Sequence, residues 1–214
     1  MQRTIQPELL DSLPPDHPDA LHNRRDLRLT NRVMGNHRWI AKTLPKLLRP
    51  TDRILELGAG TGELSALLES RGLAVDAIDF WPRPDSFPPS RQWHQSDLRT
   101  FPRYGDYTVF VANLILHQFH DSELAQLGAA LAPSARVVIA AEPARSRASQ
   151  LLYRTFAPLF GANRVSLHDA HVSIHAGFRR DELPRALGLS PADWHLDCGR
   201  APIGAYHLLA LRRP

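Results

Sequence analysis

The sequence predicts an α/β fold: a mainly parallel sheet, helices on both faces and an antiparallel edge hairpin. Three observations carry this. Short apolar runs alternate with amphipathic stretches between Asp52 and Ala141, the rhythm of strands buried on both faces and linked by helices. A glycine-rich turn, "ILELGAGTGELSALL" (54–68), joins the first run to the first helical pattern. Two close β-like runs, Trp194–Cys198 and Ala205–Leu211, end the chain around a turn with Pro202 and Gly204.

Taken in order, residues up to about 20 are rich in Pro and Asp and read as an extended arm. Two helices follow, with Leu21, Leu27, Leu29 and Val33 marking an apolar face and Gly35 a break. Arg53–Leu57 is the first strand, and Thr61–Arg71 a helix closed by Gly72. Ala74–Ile78, Trp93–Gln95, Tyr107–Ala112 and Arg136–Ala141 are the next four strands. Between the last two, Asp121 caps a helix that reaches Leu131, just before Pro133. Ser146–Phe160 reads as a helix with an apolar face, and "GANRVSLHDAHVSIHAGF" (161–178) as an irregular insert. A short helix, Arg180–Leu187, stops at Gly188.

The chain has 214 residues, 43% hydrophobic and 22% charged, enough for one α/β domain with a sizeable core. There is no apolar run of membrane-spanning length and no signal-peptide core near the start. The lone Cys198 fits a reducing compartment, so a cytoplasmic location is expected. The net charge is +4, almost all of it arginine, since Lys42 and Lys46 are the only lysines. The arginines are scattered rather than striped among aromatics, which disfavours a nucleic-acid partner.

The glycine turn carries the functional signal. Gly58 and Gly60 let the backbone approach a ligand where a Cβ would intrude, and the helix behind them points its amides into the cleft. The spacing is Gly58-x-Gly60-x-Gly62, not the G-x-G-x-x-G of dinucleotide sites. Glu56 precedes the turn and Glu63 follows it. Two acids there repel pyrophosphate and suit a cationic or zwitterionic ligand.

"ELGAGTGELS" resembles the first motif of the class I S-adenosylmethionine-dependent methyltransferases. "LAVDAIDF" ends on Asp79, placed as a ribose-binding acid. "QSDL" is similar to the family's adenine-edge motif, through Asp97 and the backbone of Leu98. "VFVANLILHQF" is similar to its fourth-strand motif, where Asn113 lines the methionine end. The resemblance covers about residues 50–142. It implies a Rossmann-like seven-stranded mixed sheet in the order 3-2-1-4-5-7-6, strand seven antiparallel. It also implies S-adenosyl-L-methionine as cofactor, held by Glu56, Gly58, Ala59, Gly60, Asp79, Phe80, Asp97, Leu98 and Asn113.

Residues 1–49 read as an arm and helical lid, 50–214 as the methyltransferase domain, and 144–180 as an insert on the acceptor side. Trp39, Tyr153, Phe156, Phe160 and Phe178 there suit a flat, apolar small molecule. The pairing of residues 159–178 with "RDLRLTNRVMG" is similar to bacterial methyltransferases of phenolic or polyketide products. That points to O-methylation of a phenol, with C-methylation of a quinol-like ring needing the same geometry. His117 and His168 are the candidate bases. If part of the insert is strand-like, His171, Ser173 and His175 share one face. No histidine spacing makes a zinc signature, so no metal is expected. A homodimer is compatible with the chain. An NAD(P) oxidoreductase, an RNA methyltransferase and a non-catalytic cofactor-binding module are the competing readings.

Overall fold

The computed structural model describes residues 1–14 and 17–214. The strands are β1 (Ile54–Leu57), β2 (Val75–Asp79), β3 (Trp93–Gln95), β4 (Val109–Asn113), β5 (Val137–Pro143), β6 (Trp194–Arg200) and β7 (Ala205–Arg212). They form one sheet in the order β3-β2-β1-β4-β5-β7-β6. β7 runs antiparallel to both neighbours, while β1 to β5 pair in parallel. The helices are α1 (Pro18–Met34), α2 (Asn36–Thr43), α3 (Glu63–Glu69), α4 (Asp121–Leu131), α5 (Arg147–Phe156), α6 (Arg164–Ala176) and α7 (Glu182–Ala186).

Period-2 alternation sorts the strand side chains between two layers. Val109 and Val111 of β4 pack with Ile40, Leu64 and Leu68 beneath α2 and α3. Phe110 and Ala112 face the other way, onto Leu124, Leu127 and Leu187 of α4 and the end of α7. A Cβ on Gly128 of α4 would lie 1.9 Å from the Leu187 carbonyl oxygen, so the backbone just after α7 can come this close to α4 only at a glycine. Gly128→Ala is therefore expected to cost about 1–3 kcal/mol. Equilibrium urea unfolding measures it, and a loss below about 0.5 kcal/mol contradicts the contact.

Four points depart from the sequence reading. The helix to Leu131 is capped by His120 rather than Asp121, which is its first residue, and Glu123 accepts from the His120 amide at 2.8 Å. The 161–178 insert is not irregular: it is the helix α6, capped by the Asn163 side chain, which accepts from Ser166 N at 2.8 Å. Its apolar period is weak because polar Ser166 and Asp169 are among its buried residues. His171 and His175 do share a face, but by helical i, i+4 spacing, with ring centroids 4.7 Å apart. The helix expected to reach Phe160 ends at Phe156 and tightens into a 3-10 turn over Ala157–Phe160, where Pro158 cannot continue the ladder. The N-terminal arm is docked rather than merely extended. Leu9 and Leu10 donate their amides to the Asp169 carboxylate at 2.7 and 3.1 Å. Arg3 reaches Asp121 at 2.6 Å and the Phe119 carbonyl at 2.8 Å. Among the described residues no helix is long and apolar enough to cross a membrane.

Candidate functional site

The carboxyl ends of β1, β2 and β4 open into one cleft of about 1190 Å³, which α1, α5 and α6 also wall. The glycine turn forms its floor. Gly58 has φ of +64°, and a Cβ there would meet Ile115 Cγ1 at 2.4 Å, so both backbone angle and space require glycine. The Gly58 amide closes back on the Ile78 carbonyl at 2.9 Å, tying the turn to the end of β2.

Two buried carboxylates flank this turn. Asp79 accepts from the Gly60 amide at 2.7 Å and from the Trp81 amide at 2.8 Å. It thereby sets the turn and the exit of β2 in one geometry. Glu56 accepts a hydrogen bond from the Ser65 hydroxyl. Burial pushes the Glu56 carboxyl up to about 7, with the charge of Asp79 adding to the effect. Two arginines of the cleft wall are already committed to acids. Arg28 of α1 lies 3.5 Å from Glu63, and Arg99 is on Asp97 at 2.6 Å and Glu123 at 3.1 Å.

The remaining sequence-derived cofactor positions also line the cleft: Ala59, Phe80, Asp97, Leu98 and Asn113. Phe80 is 70% exposed, an apolar ring standing beside Asp79. Asp97 is gripped by the Arg99 fork, which holds its carboxyl below the usual range. The Asn113 amide donates to Asn31 Oδ1 of α1 at 3.1 Å and lies 3.2 Å from His37 Nε2 of α2. The first two helices are thus keyed to the tip of β4. Burial lowers the basicity of His37, which leaves a neutral ring that can accept at Nε2.

The two candidate bases separate. His168 is half-exposed, 3.2 Å from Asp169, and is not part of the cleft wall. His117 is 3% exposed and does line the cleft. Its Nδ1 is 2.7 Å from Glu142 of β5, a residue with no solvent exposure. Glu142 also accepts the backbone amides of Ile115 and Leu116 at 3.1 and 2.9 Å. On the other side, His117 Nε2 faces Glu8 of the arm at 3.5 Å and has no hydrogen-bond partner. Burial opposes the imidazolium, but the two carboxylates outweigh it and raise His117 to about 9.

Sequence reasoning missed Glu8, Asn31, His37, Ser65 and Glu142. Glu142 had one visible signal, a lone acid at the end of the strand "RVVIAAE". Glu8 had none, because only the docked arm brings it to His117.

Compared by sequence, the chain matches no protein-family model and no curated protein. Compared by fold, it is similar to solved methyltransferases. The plantazolicin methyltransferase BamL, in complex with a triazolic desmethylPZN analogue and SAH, gives a TM-score of 0.73 at 11% identity. That match covers 96% of this chain and 93% of the other. The plantazolicin methyltransferase BpumL with SAH gives 0.70 at 11% identity, over the same shares of the two chains. Magnesium protoporphyrin IX methyltransferase (ChlM) from Synechocystis PCC 6803, with bound SAH, gives 0.56 at 16% identity over 88% and 86%. The chain therefore has the Rossmann-like methyltransferase fold, with its seven-stranded mixed sheet and antiparallel seventh strand.

Proposed function

We propose that the protein is an S-adenosylmethionine-dependent methyltransferase that O-methylates a phenolic small molecule. One observation carries the cofactor assignment: a glycine turn flanked by two buried carboxylates, Glu56 and Asp79. That donor set fits a ligand with an ammonium, a sulfonium and a ribose diol, and would repel a pyrophosphate. Glu56 and the backbone of Gly58, Ala59 and Gly60 hold the amino-acid part. Asp79 holds the ribose, beside Phe80. Leu98 and Asp97 border the adenine, with Asp97 sharing its charge with Arg99. Asn113 borders the methionine end. Residues 1–49 and 144–180 make the acceptor side.

When bound, S-adenosylmethionine supplies an electrophilic methyl carbon, whose bond to sulfur breaks with the electron pair left on sulfur as the acceptor oxygen attacks. The chain's own residues align the acceptor, exclude water and take its proton. His117 Nε2 receives the phenolic proton, Glu142 fixes the ring through Nδ1, and the new positive charge sits between Glu142 and Glu8. A base near 9 is well matched to a phenol of pKa about 10.

Calorimetry with S-adenosylhomocysteine, followed by a methyl-transfer assay on phenols, tests the reading. Binding prefers the ionised Glu56, so affinity should fall about tenfold per pH unit below about 7. Glu56→Gln should weaken binding and flatten that dependence. Failure to bind S-adenosylhomocysteine at any pH sinks the proposal.

A further inference from the structure

Helices α1 and α5 bury little of their apolar surface. The buried residues of α1 are Ala20, Asn23 and Asp26, and α5 buries only Ser149. Their large apolar side chains stay open: Leu27 is 40% exposed, Val33 49%, Leu152 42% and Phe156 51%. Phe160 and Ile203 beside them are 61% and 57% exposed.

Polar contacts dock the first turns of α1 on α6 and the turn before it. The Asn23 amide donates to Asp169 at 3.1 Å, and the Ser166 hydroxyl donates to Asp26 at 2.7 Å. His22 Nε2 lies 2.8 Å from the Gly161 carbonyl. Leu27 follows Asn23 by four residues, Val33 follows Asp26 by seven and Phe156 follows Ser149 by seven, so each continues the docked stripe of its own helix; past the docked turns they stay open. The apolar faces therefore remain uncovered by the protein itself.

All six open side chains wall the same cleft that contains Asn113 and His117. They line a concavity rather than a flat docking face. Its volume of about 1190 Å³ exceeds the ~300–1,000 Å³ typical of a single small-ligand site, which leaves room for an elongated acceptor beside a cofactor.

We propose that the acceptor carries a long hydrocarbon chain, laid against the open apolar faces of α1 and α5 with its reacting end toward His117. This rests on the methyl-transfer reading of the same cleft. The hydrocarbon covers the exposed Leu27, Val33, Leu152 and Phe156.

The test is a series of para-methyl-, butyl-, octyl- and dodecylphenol, each below its aggregation limit. Two readouts are used: kcat/KM with S-adenosylmethionine, and affinity by calorimetry for the protein loaded with S-adenosylhomocysteine. Each methylene buried is worth up to about fourfold, so kcat/KM and affinity should each rise at least about 100-fold from methyl to octyl. The double variant Phe156→Asp, Leu152→Asp should bring the octyl-to-methyl ratio to within about threefold of one. Methylation of all four phenols with equal efficiency overturns this inference and leaves the methyl-transfer reading standing. Affinity that climbs with chain length without any turnover removes the methyl-transfer reading, and the acceptor with it, leaving only a hydrocarbon-binding groove.

Discussion

Asp79→Ala is expected to abolish measurable S-adenosylhomocysteine binding. The carboxylate has two tasks in the proposed complex. It accepts the Gly60 and Trp81 amides at 2.7 and 2.8 Å, so it sets the turn before any ligand arrives. It also has to accept the ribose hydroxyls. Each hydrogen bond to a charged group is worth about 1.5–3 kcal/mol, and the loss of two or more corresponds to a drop of at least about 100-fold in affinity. Asp79→Asn separates charge from shape: its amide nitrogen cannot accept, so it should also fall by about 100-fold. Circular dichroism and thermal melting establish that each variant is folded. A folded Asp79→Ala protein that binds within about fivefold of the parent removes the ribose assignment.

His117→Ala should lower kcat by about 10²–10⁴-fold, the range of a lost general base, with S-adenosylhomocysteine affinity nearly unchanged. The pH dependence gives the sharper result. His117 acts as a base only when neutral, and Glu142 and Glu8 hold it up to about 9. The rate should therefore climb with pH and level off near 9. Glu142→Gln or Glu8→Gln removes a stabilising negative charge, so the inflection should move to lower pH. Two substitutions on different elements, β5 and the arm, guard against the case in which one fails to fold. A profile that levels near 6.5 in the parent, or does not move in either variant, rules out His117 as the base.

The same group links pH to stability. Its folded value lies above the ordinary 6.5. The stabilisation is therefore fully present below about 6.5 and is lost as pH rises through about 9, to the extent of about 3 kcal/mol.

The fold was legible because its signals are local. "RILEL", "YTVFVA" and "RVVIAA" are each apolar enough to be central strands whatever surrounds them. The glycines of 58–62 likewise announce a turn without reference to distant residues. Boundaries drifted where side chains at a distance decide them. α6 was hidden because its buried side includes Ser166 and Asp169, whose partners are Asp26 of α1 and the amides of Leu9 and Leu10.

By itself the sequence determined the strand-turn-helix with its guarding acids, and the alternation that makes a parallel sheet, since both follow from backbone freedom and side-chain period over a few residues. Only the tertiary structure decided which histidine is enclosed. His117 and His168 look alike along the chain, but one is buried between Glu142 and Glu8 and the other is half-exposed on α6. It also decided how far along α1 and α5 the neighbouring elements reach. Burial is a property of what packs against a helix: α6 covers the first turns of α1 through Asn23 and Asp26 and leaves Leu27 and Val33, further along the same stripe, to the cleft.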